Sequence, residues 1–320
     1  MNDLLSDDFR AFSAALGQDP LRVQGPGGNT SIKAGDVMWI KASGTELADA
    51  IDKPIFVAVD RNAAKAQAGG AGDGSCKDTV LDPANTLRPS IETTFHAALD
   101  WAVVAHTHSI ATLIHAVSPE GRIALDAKLA GLPFVRVPYA KPGLPLTQQI
   151  MARVSADTQI IILENHGLIC CADSVAATAK IMDEVEVRLA MPVRNMVGAA
   201  PSELAPSGFT WAGESWLAKK PDTADLIVAG SYYPDHVVFL GPALPQGDHD
   251  GTPPVIVQKD VGILIRDGAT SSQKSMLRCL SDLFSRLPAD WTVSAIGTKA
   301  EAELLNWDAE KYRQALAAQS

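Results

Sequence analysis

The chain has 320 residues, 47% hydrophobic and 20% charged, with a formal net charge of −10. That length suits one large domain or two with a substantial core. The acidic balance, with no Lys/Arg block, argues against a nucleic-acid partner, and no window approaches the roughly 20 apolar residues that a membrane span needs.

The N-terminal "MNDLLSDDFRAF" carries acidic residues where a secretory leader carries basic ones. Cys76, Cys170, Cys171 and Cys279 form no CxxC pair, and the adjacent Cys170 and Cys171 point to opposite faces of a strand. Reduced thiols in a cytoplasmic protein are the expectation.

In chain order, Phe9, Phe12, Ala15 and Leu16 predict a helix face, with Gly17 as its stop signal. "VQGPGGNTSIKAGDVMWIKASGTEL" predicts a glycine-rich turn, a strand over 37–41 and a second turn at Ser43–Gly44. "AAKAQAGGAGDGSCKDTVLDPANTL" predicts a helix end and an exposed loop. "PSIETTFHAALD" predicts a helix opened by Pro89 and capped by Ser90, with Glu92 in its first turn.

"VVAHTHSIATLIHA" predicts a strand to about His106, then a helix from Ile110. "GLPFVRVPYAKPG" predicts a strand between prolines, and "DTQIIILENHGLICCADS" two strands meeting at a turn over 165–167. "SVAATAKIMDEVEVRLAMPVRNMV" carries the longest helical pattern in the chain. The Pro/Ser/Gly-rich stretch after it, 198–215, is the candidate boundary between a domain over 1–205 and an extension over 206–320. In the extension, "HVVFLG" reads as a strand, "PPVIVQKDVGILIRDG" as a strand pair, and "SSQKSMLRCLSDLFSRL" and "DAEKYRQALAA" as helices. Strands and helices interleave without a regular βαβ period, which predicts α/β layers with a mixed or antiparallel sheet.

Side chains at i and i+2 of a strand share a face, so His106 and His108 can aim at one point, as a metal ion requires. Imidazole suits zinc, and catalytic zinc sites commonly use three protein ligands. "ENHG" offers a third in His166, with Gly167 letting the backbone bend sharply. Glu92, at the start of the helix leading into the His strand, is the candidate general base. His96 shares its helix face and reads as a packing or supporting residue rather than a ligand. "GPGGNTSIK" reads as an ordinary tight turn or an anion cradle of backbone N–H groups with Asn29 and Ser31.

In order, "GGNTS", "KASGTEL", "PSIETTFH", "VVAHTHS", "VPYAKPG" and "ENHGLI" resemble the class II (zinc-dependent) aldolase/adducin family over about residues 5 to 200. That family includes fuculose- and rhamnulose-phosphate aldolases, ribulose-5-phosphate 4-epimerase and the non-catalytic head of adducin. "YYPDHVVFLGP" and "ELLNWDAEKYRQAL" look like the continuation found in the longer, rhamnulose-phosphate aldolase-related branch. That branch is often fused to a short-chain dehydrogenase; the chain has no GxGxxG and ends before such a domain, so hydride transfer is not expected.

The resemblance implies a three-layer α/β/α fold with a mixed, mostly antiparallel sheet, plus a C-terminal α/β extension. It implies zinc, or another divalent first-row metal, on His106, His108 and His166, with Glu92 as acid/base. Asn29, Ser43, Gly44 and Ser90 would bind the substrate's phosphate or equivalent end, and Tyr139 would reach a neighbouring subunit's site in a homo-oligomer, a tetramer.

The implied function is reversible aldol cleavage of a small ketose, sugar phosphate or sugar/keto acid, with zinc stabilising the enediolate. The alternatives are a zinc-dependent epimerase or decarboxylase, or an adducin-like interaction module. Glu92 stands where the epimerase has Asp, which favours aldol chemistry. Ile91 stands where the small aldolases have a second Ser, so one phosphate donor is missing and a free keto acid or sugar acid joins the phosphorylated candidates.

Overall fold

The computed structural model describes residues 4–194, 198–247 and 253–318. Seven strands form the main sheet: β1 Asn29–Ala34, β2 Val37–Lys41, β3 Phe56–Asp60, β4 Val103–Thr107, β5 Phe134–Val137, β6 Ile160–Leu163 and β7 Gly167–Ala172. Their spatial order is β3-β2-β1-β4-β7-β6-β5. Only β5 and β6 run parallel; every other neighbouring pair in this sheet is antiparallel.

β4 lies in the middle, paired to β1 (Asn29 opposite His106) and to β7 (His106 opposite Ile169). All five of its residues are buried. An apolar run closing on an imidazole therefore puts that imidazole at the centre of the sheet.

Helices cover both faces. On one, Val103, Ala105 and Cys170 pack with helices Asp7–Gln18, Pro119–Lys128 and Val175–Leu189. On the other, Val104, Ile169 and Cys171 pack with Thr93–Ala98 and Leu144–Met151. The period of two along β4 and β7 assigns alternate residues to the two layers. All four cysteines are buried free thiols.

After residue 205 come β8 Phe209–Trp211, β9 Val255–Gln258 and β10 Gly262–Arg266, an antiparallel sheet in the order β8-β10-β9. Its core runs without interruption into the first part of the chain. Ile110, Leu113, Ile114 and Val117 share one buried cluster with Trp216, Tyr232, Val257 and Leu280. No helix among the described residues is long and apolar enough to cross a membrane.

Several sequence-based expectations are corrected. "HVVFLG" is not a strand: Pro234–Leu240 is a helix, every residue of it buried. The β-branched run suggests a strand, but Pro234 at the first turn and Gly241 (φ +97°) just beyond the end mark a helix. Gly17 does not stop the first helix. It lies inside it, where a Cβ would sit 2.1 Å from the Ala48 nitrogen.

Ser90 does not cap a helix directly either, because the helix begins at Thr93 after Glu92. The loop after Arg61–Ala68 is largely exposed, as expected, and is pinned to the fold at a few points. Cys76 is buried, its N–H donates to Gln67 Oε1 at 3.0 Å, and Val80 bridges to Val59. The longest helix is Ser271–Arg286 with 16 residues, one more than Val175–Leu189; residues 195–197 of the stretch expected to be helical lie outside the described ones.

Candidate active site

β4 ends at Thr107, and its last residues deliver His106 and, one step past the strand, His108. The turn from β6 to β7 delivers His166. The residue that makes this turn is Asn165 (φ +54°), not Gly167 as expected. Gly167 is required for another reason: a Cβ there would lie 2.3 Å from the Thr107 carbonyl oxygen.

One ring nitrogen from each of His106, His108 and His166 lies within 4.8 Å of the others, and all three side chains are buried. The Nδ1 of His106 is 3.0 Å from the Leu168 carbonyl, which fixes that nitrogen as the N–H and leaves Nε2 with its lone pair. Nε2 is buried with no hydrogen-bond partner. A buried acceptor of this kind is costly unless something takes it up. Burial lowers the pKa of His106, with the Glu92 charge opposing; burial and the neighbouring imidazoles lower that of His166 further. Buried, converging imidazoles are a donor set that fits a divalent cation.

Glu92 faces this triad. Its Oε2 is 3.5 Å from His106 Nε2, and its Oε1 is 3.7 Å from His166 Nε2 with no hydrogen-bond partner. The Oε2 atom accepts from Asn29 Nδ2 at 2.8 Å. The Asn29 amide also donates to Ser90 Oγ (3.2 Å), which in turn accepts from the Glu92 N–H (3.2 Å).

Behind this lies His96. Its Nε2 hydrogen-bonds the Asn29 side-chain oxygen, and its Nδ1 is 2.7 Å from Ser31 Oγ. The bonds orient one another: His96 must donate to Asn29 Oδ1, so Asn29 presents its NH2 to Glu92. Burial holds His96 neutral, as this network requires.

Asn29, Ser43, Gly44, Ser90, Glu92, His108 and His166 all line one small cavity of about 30 Å³. Tyr139 lines neither this cavity nor the larger one beside it. Its hydroxyl is buried without a hydrogen-bond partner, and burial together with Glu303 and Glu310 raises its pKa. The larger cavity, about 510 Å³, shares Ser43, Ile91 and Pro142 with the inner one and is walled by Lys141, Trp307 and Tyr312.

Three residues of the inner cavity escape the sequence reading. Lys41 is buried, donates to the Pro26 and Thr45 carbonyls (3.0 and 2.5 Å), and is pushed down to about 7 by burial and by the Arg313 charge. Asp235 and Arg313 come from the C-terminal extension. Arg313 donates to both Asp235 oxygens (2.9 and 3.2 Å) and to Glu310, and Asp235 Oδ2 lies 3.3 Å from His108 Nδ1. Burial alone would raise the Asp235 carboxyl, but Arg313 and His108 outweigh it and hold it well below the usual carboxylate range. The signals were "KASGTEL", "YYPDHVVFLGP" and "AEKYRQAL"; nothing in the sequence says that these segments meet.

The family model described as "Class II Aldolase and Adducin N-terminal domain" matches residues 13–192. The chain is 30% identical over 194 residues to "Uncharacterized oxidoreductase YuxG" of Bacillus subtilis (strain 168), covering 54% of this chain and 28% of that protein. It is 33% identical over 116 residues to "3-oxo-tetronate 4-phosphate decarboxylase" of Escherichia coli O6:H1, covering 31% and 52%. These matches span only about a quarter to a half of the relatives' own lengths. Among solved structures, the N-terminal class II aldolase domain of a conserved protein from Thermoplasma acidophilum superposes with TM-score 0.52 at 27% identity, covering 57% of this chain and 91% of that one. With the family model spanning more than half of the chain and this fold around the three histidines, the chain belongs to the class II aldolase and adducin N-terminal domain family.

Proposed function

We propose that the protein is a divalent-metal-dependent carbon–carbon lyase, cleaving a small ketose, sugar phosphate or sugar/keto acid by a reversible aldol reaction. The observation that carries this is the Glu92 carboxylate. One oxygen is anchored by Asn29 and lies 3.5 Å from His106 Nε2, and the other is free of hydrogen bonds and lies 3.7 Å from His166 Nε2. His106, His108 and His166 would hold the cation, zinc being the metal their donors suit best. When bound, it supplies Lewis-acid polarisation of a carbonyl.

Cleavage breaks the bond between the carbon next to that carbonyl and a hydroxyl-bearing carbon. The electron pair stays on the former, and as the latter becomes an aldehyde its hydroxyl proton passes to the Glu92 carboxylate. Glu92 is placed to deliver a proton to the carbon that keeps the pair and to remove it in the reverse direction. Asn29, Ser43 and Ser90 offer polar contacts for the substrate's other oxygens, with the larger cavity as its route in. In the same reading, Tyr139 of a neighbouring copy in a homo-oligomer serves the aldehyde oxygen. Loss of cleavage without loss of metal in Tyr139→Phe supports that role, and unchanged turnover removes it.

A second reading, decarboxylation of a keto acid, is favoured by the 33% identity to a protein named as a decarboxylase. The two part at the products. Incubation with phosphorylated and free sugars and sugar acids gives two carbon fragments in one case and CO₂ in the other. The Glu92→Gln variant should lose about 10²–10⁴ in rate while keeping its metal; near-normal turnover would remove Glu92 from the chemistry. A purified protein that takes up no divalent metal would instead favour an interaction module.

A further inference from the structure

We infer that Asp235, supplied by the C-terminal extension, is a positioning residue of the metal centre, so that the extension is a working part of the site. This rests on the reading that the three histidines hold a divalent cation.

A metal-ligating histidine presents one ring nitrogen to the ion, and the bond made by the other nitrogen sets its tautomer and aim. For His106 the second nitrogen is served within the sheet, by the Leu168 carbonyl. Among the described residues, His108 has no such backbone partner in the first part of the chain. Its Nδ1 faces Asp235 Oδ2 at 3.3 Å, and both side chains are buried. Both Asp235 oxygens accept from Arg313 (2.9 and 3.2 Å), so the carboxylate faces His108 as an acceptor; Nδ1 then carries the proton and Nε2 is left for the ion.

Asp235 is itself fixed. Arg313, 8% exposed, donates to both carboxylate oxygens, and both Glu310 oxygens accept from the same Arg313 Nη1 that binds Asp235 Oδ1. The glycine-rich loop closes over the pair, because a Cβ on Gly27 would fall 2.8 Å from His108 Nδ1 and 3.0 Å from Asp235 Oδ2.

The extension also holds the turn that carries His166. The Asn165 amide donates to the carbonyls of Tyr232 (3.0 Å) and Ser294 (2.7 Å), and its oxygen accepts from Arg122. Two of the three candidate ligands are thus braced from residues beyond 230, outside the family match at 13–192. Asp235 ends in a carboxylate aimed at an imidazole that is itself aimed at the cation site. A purely structural ion pair would have no need of that imidazole.

The test is zinc affinity, read by competition of the zinc-loaded full chain with a chelator of known strength. Asp235→Asn should bind zinc about 10–100-fold more weakly than the wild type. Val257→Ala, which loosens the extension's core at a residue that does not line the cavity, should bind within twofold of it. Asp235→Asn within twofold of the wild type would overturn the inference and leave the metal reading intact. Equal losses in both variants would also overturn it, since Asp235 would then act only through stability. A wild-type chain that takes up neither zinc nor cobalt(II) would instead remove the metal reading itself. Should Asp235→Asn fail to fold, ¹⁵N-histidine spectra of the zinc-loaded wild type decide. His108 must show a protonated Nδ1, and a bare or metal-bound Nδ1 refutes the assignment.

Discussion

The main sheet and the C-terminal extension contribute to the same cavity in different ways. The sheet places donors at the ends of β4 and β7, where backbone pairing on both sides fixes them, and the Leu168 carbonyl that orients His106 belongs to that pairing. The extension adds the Asp235 carboxylate, the Arg313 guanidinium, a helix face against Gly44, and the Tyr232 and Ser294 carbonyls that hold Asn165. Donor position is therefore written into strand register, which slips only in whole residues. The orientation of His108, by contrast, rests on longer side chains that can yield.

Acid should strike both regions, with the largest effect. His96 and His166 in the first region are held well below their ordinary pKa, His115 is pushed down to about 4, and His236 in the extension to about 3, in each case chiefly by burial. Unfolded, all four titrate near 6.5. Above that pH both states carry neutral rings, and the stability contribution is fully present. As pH falls below 6.5 the unfolded chain binds protons that the folded chain refuses, so stability drops toward the folded values. Each histidine contributes up to about 1.4 kcal/mol per pH unit.

Urea midpoints should therefore fall steeply between pH 6.5 and 4. His236→Phe should flatten that slope by up to one proton's worth. An unchanged slope would mean that the extension's imidazole already finds water in the fold.

Gly167→Ala comes next and concerns the sheet alone. Its Cβ would meet the Thr107 carbonyl, which is backbone in the central strand and cannot swing aside. We expect a loss of about 3 kcal/mol or more, measured by denaturant unfolding, or no soluble protein. A loss under about 1 kcal/mol would show that the β4–β7 pairing is softer than its burial implies.

How far the sequence announces these features follows from their range. "VVAHTHS" is legible because alternation along a strand is local: Val104 and His106 on one face, Val103 and Ala105 on the other. His166 is legible because a histidine in a tight turn between two apolar runs has little else to do. The cause of the turn was misread, since Asn tolerates a left-handed backbone nearly as Gly does and "ENHG" offers both. The helix at Pro234 was missed because Val237, Val238 and Phe239 are buried all round and show no polar face. Asp235 and Arg313 were beyond reach for a plainer reason. An ion pair between distant segments leaves no period and no spacing, and each residue reads alone as surface charge.

Asn165 sits between the two regions, so its variants separate them. Asn165→Gly keeps the left-handed turn but drops the bonds to Tyr232, Ser294 and Arg122. It should cost about 1–2 kcal/mol. Asn165→Ala adds backbone strain and should cost about 2–3 kcal/mol. Equal losses would place the whole effect in the extension's clamp.

Gly44→Ala is the smallest effect and the sharpest contrast with Gly167. The backbone at Gly44 is left-handed (φ +79°), and a Cβ there would lie 2.4 Å from Leu316 Cδ1, the far end of a flexible side chain on the C-terminal helix. The overlap can be relieved by a rotamer change, which leaves mainly the backbone strain, about 1–2 kcal/mol. The companion Leu316→Ala removes the overlap but not the strain. In a double-mutant cycle by urea unfolding, the pair should be less destabilised than the sum of the single variants. Strict additivity would mean that Leu316 already yields fully to the new methyl group. A double variant more stable than Gly44→Ala alone would mean that the C-terminal helix is held as rigidly as β4, and the contrast between the two regions would fail there.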